Sequence, residues 1–572
     1  MSSAIESASG SSVESKGLKG GALGLVGSVV VGMASTAPAY SLAASLGLVV
    51  SAGAGVKAAA IMLLAFIPMY FIAVAYRELN EAEPDCGTTF TWATRAFGPV
   101  AGWMGGWGII AADIIVMANL AQVAGSYSFE LVDKLGWHNT LSTNTFWSTV
   151  AGLIWITIMT YICYRGIEVS ARIQYALLGI EIVTLFVFAV VAIAKVYGGD
   201  GASADGAVIS LHPSLSWLWP SGMGLSVLAP ATLSGIFIYW GWDTAVATNE
   251  EADDPGKTPG RAAVISTVLL LVTYVLVTYA ALAFAGVGEK GIGLGNSDNA
   301  SDVFNAIGPT LYGNSAIGKI GLWLLIISIL TSASASTQTT ILPTARTALS
   351  MAVYRAIPKN FARIHPRFLT PTWSTVGMGI ISALFYLLMT WISPNLLTAL
   401  IGCVGLQIAF YYGLTGIVCA WFYRYSLLRS TRTLVMRGLV PLIGGLFLFV
   451  MFGYALKTYA HQGFLQDDKG KNVTIFGLGA VAVVGLVALL LGFVLLALQW
   501  IVNPAYFQGK TLPRRSSRDL ILLDNSEPAL GAEPITLPDS REATVIAPDL
   551  SNLPSGQTAI DPATGQEYRH PE

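Results

Sequence analysis

The chain has 572 residues, 54% of them apolar and only 11% charged, with a mean hydropathy of +0.63. Soluble domains carry about 25% charged residues, so the composition excludes an ordinary water-soluble protein and points to one built for lipid. A net charge of −2 gives no basis for nucleic-acid binding, and four scattered cysteines and five histidines, none at metal-ligand or triad spacing, give none for a metal centre or a hydrolytic enzyme.

Residues 1–20 are rich in Ser and Gly and are expected to be an unstructured lead-in; the apolar run that follows is too long for the core of a cleavable leader. A spanning helix needs roughly 20 apolar residues. Twelve segments meet that requirement, at about 22–50, 55–76, 100–127, 146–164, 172–196, 224–249, 262–286, 318–354, 372–392, 396–423, 434–457 and 475–503. The first and eighth are too long for one straight crossing, so each must tilt, break or project. With an inner N-terminus, all the arginines of the connecting segments fall on the inner side, among them Arg77, Arg95, Arg165, Arg346, Arg355, Arg424 and Arg437, while the outer segments hold lysines only. That asymmetry predicts an even number of spans and both termini in the cytoplasm. The predicted organisation is a lead-in at 1–20, a membrane domain at 21–505 and a tail at 506–572. The tail, rich in Pro, Asp, Glu, Ser and Thr, is too poor in apolar residues to fold alone.

Two spans carry features that a simple membrane helix avoids. In the first, "VVVGMASTAPAYSLAASLG" (Val29–Gly47), Pro38 removes a backbone donor and clashes with the preceding turn, directly after Ser35, Thr36 and Ala37. A half-helix starting there would expose amides and a positive dipole to an anion. In the sixth, "GIFIYWGWDTAVATNEEADDP" (Gly235–Pro255), Gly241 lies between two tryptophans and Asp243 follows. A glycine costs about 1 kcal/mol in a helix and a buried acid several. Both are tolerated where backbone opens onto a cavity. The carbonyls of Phe237, Ile238, Tyr239 and Trp240 are then candidates to receive an ammonium group. The plain alternative is a packed helix with Asp243 near the inner interface. Interrupted helices at matching positions of two halves are the sign of a secondary transporter with inverted repeats.

Four stretches strengthen that reading. "AYRELNEAEPDCGTTFTWATRAFGP" (Ala75–Pro99), "YWGWDTAVATNEEADDPGKTPGRA" (Tyr239–Ala262), "ARTALSMAVYRAIPKNFARIHPRFLTP" (Ala345–Pro371) and "YYGLTGIVCAWFYR" (Tyr411–Arg424) resemble landmarks of the amino acid–polyamine–organocation superfamily of permeases. The resemblance covers roughly residues 20–505. It implies an all-α integral membrane protein of twelve transmembrane helices, a LeuT-like pair of inverted five-helix repeats with two additional C-terminal helices, moving amino acids or amines. The sequence departs from the family at the first break. Many relatives have a Gly-Ser-Gly-type run there; this chain has Met33-Ala34-Ser35-Thr36-Ala37-Pro38. That leaves room for an amine or another small organic cation.

Three acids lie within apolar spans: Asp113, Glu181 and Asp243. Acids at that depth mark ion or proton routes, or are neutral groups bonded between helices. The resemblance puts Glu181 where some proton-coupled relatives hold a titratable lysine. It also aligns Asp243 with an acid common in the family, in competition with a simple helix-capping role. Ser332 and Ser336, four residues apart on one helix face, fall in the stretch that supplies ion ligands in sodium-coupled relatives; close helix packing is the alternative. Phe237 is the expected gate, by resemblance, and Arg346 a gating, lipid-contacting or anchoring residue. The expectation is a proton-coupled importer of an amino acid or amine in the plasma membrane, with sodium ranked below the proton as coupling ion and no cofactor, metal or covalent chemistry. A substrate/product exchanger is the nearest alternative, and a channel or membrane-bound sensor a more distant one.

Overall fold

The computed structural model describes residues 16–137, 140–204, 207–392, 394–465, 471–515, 558–560 and 567–569. The lead-in before Lys16, most of the tail, and His138 and His570 lie outside the described residues. The chain divides into two compact units, Met1–Asp524 and Asn525–Glu572. In the second, the described residues form one antiparallel pair, Thr558–Ile560 with Glu567–Arg569.

The first unit is helical, apart from two short hairpins at Ser203–Val208 and Thr474–Gly479. In chain order it contains α1 (Leu25–Ser35), α2 (Pro38–Val49), α3 (Ala58–Ala82), α4 (Thr89–Phe97), α5 (Pro99–Lys134), α6 (Thr145–Tyr164), α7 (Ile167–Gly198), α8 (Leu225–Ile238), α9 (Thr244–Ala247), α10 (Thr258–Ala285), α11 (Val303–Tyr312), α12 (Ala316–Val353), α13 (Thr372–Ile392) and α14 (Pro394–Phe422). A single turn, α15 (Thr431–Thr433), runs through a π-helical stretch into α16 (Val440–Tyr459); α17 (Ala480–Val502) and α18 (Pro504–Phe507) follow. Among the described residues, ten helical stretches are long and apolar enough to cross a membrane. The first, Leu25–Ala82, embraces α1 to α3, and α8 is a shorter apolar helix. Each of the twelve segments read from the sequence overlaps helical chain, the sixth only in part, since it leaves the helix between Ile238 and Thr244.

The two over-long segments resolve differently. The first breaks between α1 and α2. The eighth stays whole as the 38-residue α12, about 57 Å long at 1.5 Å per residue, nearly twice the hydrocarbon thickness. It packs along α5 and reaches α6, α7 and α13, so it forms a post against which both broken helices lean. Polarity sorts the surfaces. Val183, Phe186 and Val190 of α7, Ile380 and Leu384 of α13, and Val487 and Val494 of α17 are exposed apolar residues, as lipid-facing surfaces require. Ser, Thr, Asn, Gln and acidic side chains are turned inward on α5, α7 and α12.

The start of the tail is ordered by packing. Tyr506 in α18 is fully buried, stacks on Phe90 and hydrogen-bonds Thr94 and the Pro99 carbonyl. Leu512 is buried in the same cluster, and the Arg515 amide donates to the Arg95 carbonyl at 3.0 Å. The polar composition beyond 506 hides these few apolar anchors.

Candidate substrate and coupling site

Both unusual stretches are helix breaks. At the first, Ala37 adopts left-handed backbone (φ 48°, ψ 65°) and Pro38 opens α2. The local cause is legible: a residue before proline avoids the right-handed helical region, and proline's fixed φ suits the first position of a new helix. Left-handed geometry at alanine costs about 1–2 kcal/mol, sustained by close packing, since Ala37 is buried. At the second, α8 ends at Ile238, Tyr239 sits in the bridge region (φ −90°, ψ 0°) and Gly241 takes φ +117°. After it comes a single turn, α9.

The breaks touch each other. A Cβ on Gly241 would lie 2.7 Å from the Ser35 carbonyl oxygen, so both the φ and the space demand glycine there. The hydroxyls of Ser35 and Thr244 are 2.8 Å apart, and Ser336 on α12 donates to the Ser35 carbonyl at 2.9 Å.

Glu181, fully buried on α7, reaches the same place. Its Oε1 accepts from the Ala39 amide at 2.6 Å and from the Ser332 hydroxyl at 2.7 Å. The Ser332 oxygen in turn accepts from the Tyr40 amide at 3.1 Å. One carboxyl group thus ties the N-terminus of α2 to α12, where the helix dipole favours negative charge. Glu181 Oε2 has no hydrogen-bond partner among the described residues.

The backbone accounting at the first break corrects one expectation. The Thr36 and Ala37 amides are not open donors: they turn back to the Met33 and Ala34 carbonyls at 3.1 and 3.2 Å. Pro38 has no N–H, Ala39 and Tyr40 are taken as above, and the Ser41 amide bonds the Ala37 carbonyl. The Ser41 and Thr36 hydroxyls bond the Thr36 and Met33 carbonyls. A tight turn of this kind satisfies its own end groups. At the second break, the Phe237 carbonyl accepts from the Trp240 amide and the Ile238 carbonyl from the Tyr274 hydroxyl at 2.7 Å. Of the four expected carbonyls, those of Tyr239 and Trp240 accept no bond among the described residues.

Asp243 begins α9 but makes no side-chain cap. Its carboxylate takes the hydroxyls of Tyr412 at 2.8 Å and Tyr411 at 3.1 Å, both from α14. The Trp240 indole N–H donates to the Tyr411 oxygen. Tyr76, Trp242 and Tyr412 close ring to ring around it, with centroids 5.1 to 5.7 Å apart. Asp113 on α5 accepts from Thr344 of α12 at 2.5 Å, so it faces the neighbouring helix. Phe237 is buried beside the break. Sequence reasoning missed Tyr411 and Tyr412 as partners of Asp243, although "YYGLTG" was among the quoted landmarks, and missed Thr244 and Thr344. Two apolar grooves, of about 350 and 410 Å³, lie elsewhere, between α7 and α12 and between α6 and α13, and touch neither break.

A second polar centre lies at the arginine-rich end. Lys16, from the lead-in, is buried with its ammonium 2.9 Å from Asp85 Oδ2 and in contact with Glu250 Oε1. Asp85 also accepts from Thr91, Ser350, Tyr354 and the Gly87 amide, and Glu250 from the Cys86 amide. Burial opposes the charge on Asp85, but Lys16, the Gly87 amide and Ser350 outweigh it and hold the carboxyl at about 2. Asp85, Cys86 and Glu250 have the donor atoms of a metal site, but the Lys16 ammonium already sits between the two carboxyls. Alongside, Arg346 is fully buried and doubly bonded to Glu251 at 2.8 and 2.9 Å. It is an interior ion pair rather than a lipid contact or anchor. Backbone bonds stitch the lead-in here, with the Ala22 and Leu23 amides on the Glu251 carbonyl and the Asp253 amide on that of Leu23. All four cysteines are buried free thiols.

Comparison with known proteins agrees with this architecture. The profile of the family described as "Amino acid permease" matches residues 22–504. The branched-chain amino acid permease BcaP of Lactococcus lactis is 27% identical over 37% of this chain, and the match spans 45% of that relative's length. The methylthioribose transporter of Bacillus subtilis is 22% identical over 59% of this chain and 68% of its own. The Asc-type amino acid transporter 1 of Mus musculus is 24% identical over 52% of each. With a profile match running from the first break-bearing helix to the last long one, the chain belongs to the amino acid permease family of multi-pass membrane transporters.

Proposed function

We propose that the protein is a secondary active transporter that imports an amino acid or related amine by alternating access, driven by protons, across the plasma membrane. The observation that carries this is the meeting of the two breaks at Ser35 and Gly241, with Glu181 bridging α2 and α12 beside them. Substrate sits between the breaks, against Tyr239 and Trp240. Glu181 gains a proton in one orientation and loses it in the other; a coupling of about 1–3 kcal/mol is enough to make transport depend on it.

The chain order supports a LeuT-like arrangement of two inverted five-helix repeats plus two helices, twelve spans in all. Each half opens with a broken helix, α1–α2 or α8–α9. Each then has a short helix before its third span, α4 or α11, and that third span is the longest of its half, α5 or α12. Arginine placement supports cytoplasmic termini. On that reading the Lys16–Asp85–Glu250 and Arg346–Glu251 clusters close the cytoplasmic end, and they separate when that end opens.

The test is purified protein in liposomes, offered radiolabelled amino acids and amines under an imposed pH gradient. Saturable uptake that follows the gradient, and that Glu181→Gln abolishes while leaving exchange intact, is expected. Uptake that requires sodium and survives collapse of the pH gradient overturns proton coupling. Glu181→Gln coupled as tightly as the parent removes Glu181 from that role.

A further inference from the structure

The hydrogen-bond accounting at the breaks has a direct chemical consequence for the substrate. An α-amino acid needs two seats: donors for its carboxylate and acceptors for its ammonium. The natural donor seat is the N-terminus of α2, where the first-turn amides carry the positive end of the dipole. This chain fills that seat from within. Glu181 takes Ala39, Ser332 takes Tyr40, and Pro38 has no N–H to offer. The Thr36 and Ala37 amides are turned onto α1 carbonyls. Across the contact, the Tyr239 and Trp240 amides are turned onto the Ile236 and Phe237 carbonyls.

Among the described residues, the groups left without partners at the breaks include three acceptors and one donor, the Trp242 indole N–H. The acceptors are Glu181 Oε2, fully buried, and the carbonyls of Tyr239 and Trp240. Asp243 and Asp113 lie apart from Glu181: Asp243 is held by Tyr411 and Tyr412, and Asp113 bonds Thr344, twelve residues along α12 from the Ser332 that bonds Glu181, about 18 Å of helix. No Lys or Arg is bonded to Glu181, Asp243 or Asp113 among the described residues; the buried Arg346 bonds Glu251 through Nε and Nη2, and its Nη1 is without a partner. A substrate carboxylate brought to the α2 end would meet Glu181 and no open amide there, which is a costly desolvation. An ammonium would gain a charge-assisted bond to Glu181.

We infer that the transported substrate is an amine or other small organic cation without a carboxylate, because Glu181 already occupies the place where an amino acid's carboxylate would bind. This rests on the transport site proposed above and narrows its substrate class. Glu181 then has two roles at one position: it stands in for the missing carboxylate at α2, and its second oxygen faces the cation.

The experiment uses matched pairs that differ only by the carboxylate: lysine with cadaverine, ornithine with putrescine, and phenylalanine with phenethylamine. Each competes for binding to the purified full-length protein, and each is measured as a proteoliposome substrate. The amine of at least one pair is expected to bind at least about tenfold more tightly than its amino acid. In Glu181→Ala, where the Ala39 amide is vacated, the gap is expected to narrow by about that factor as the amino acid gains a donor. An amino acid that binds as tightly as its amine in every pair overturns the inference while leaving the transport site intact. If no member of any pair binds or is carried, the transport site falls as well. The wild-type comparison stands alone if Glu181→Ala does not fold.

Discussion

Replacing Lys16 with alanine removes the one ammonium between Asp85 and Glu250 and so tests the closed end. Both carboxyls are buried. Taking one partner from a buried charge cluster costs about 3–5 kcal/mol. Protonation sets a ceiling. Neutralising a glutamate of ordinary acidity at pH 7 costs about 3.7 kcal/mol, and less for Glu250, which burial already holds above the usual carboxylate range despite Lys16. The closed arrangement should therefore lose about 3 kcal/mol relative to one in which these groups meet water, roughly a 100-fold shift. At pH 5 the same ceiling falls to about 1 kcal/mol.

The sign is set by the acids. Asp85, held at about 2, contributes fully above roughly pH 4 and loses its contribution only as the pH falls from there towards 2. It is constant between pH 5 and 7, so the pH dependence comes from neutralising the orphaned acid. The readout is alkylation of Cys86, buried in this cluster, after Cys163, Cys403 and Cys419 have been replaced. Lys16→Ala should speed labelling by about two orders of magnitude at pH 7 and by less than tenfold at pH 5, each relative to the same background with Lys16. Lys16→Arg keeps the charge and should stay near that background. Equal rates at both pH values would refute the role of Lys16; a large ratio that does not change with pH would refute the electrostatic account of it.

Two further perturbations probe the breaks and the tail. Gly241→Ala imposes a Cβ 2.7 Å from the Ser35 carbonyl at φ +117°, a strain of about 1–3 kcal/mol before the clash is counted. Substrate binding should fall at least tenfold in protein that still reaches the membrane, and unchanged binding would show that the contact is not part of the seat. Tyr506→Ala removes a fully buried ring and its bonds to Thr94 and Pro99, at a cost of about 3 kcal/mol. Its melting temperature in detergent should drop, whereas a chain ending at Asp524 keeps that anchor and should melt as the full chain does.

Much of this molecule is written locally. Apolar runs of membrane length, and the single-sided arginines, follow from the solvent: oil admits few charges and only backbone that bonds to itself. Both breaks could be placed to within a few residues because their causes are local. Pro38 forbids its own helix bond and disfavours helical backbone at Ala37, and Gly241 is where no side chain fits. That Glu181 lies within an apolar span could be read from the sequence, and that Ser332 and Ser336 share a face from the helical repeat.

What tertiary structure decided is who meets whom. Nothing in the spacing of Glu181 says that its carboxyl caps α2, 142 residues away, and nothing near Asp243 says that two tyrosines from α14 hold it. The amides expected to be open at Thr36 and Ala37 are closed because a tight turn can bond to its own preceding turn, a choice settled by geometry and not by residue type. Lys16 looked like the end of a solvated lead-in and is instead a buried counter-ion. A residue's identity sets which bonds it is able to make, and local backbone sets where a helix must stop. The partner that claims each bond is chosen by packing among segments far apart in the chain, as Glu181 on Ala39 and Tyr412 on Asp243 show.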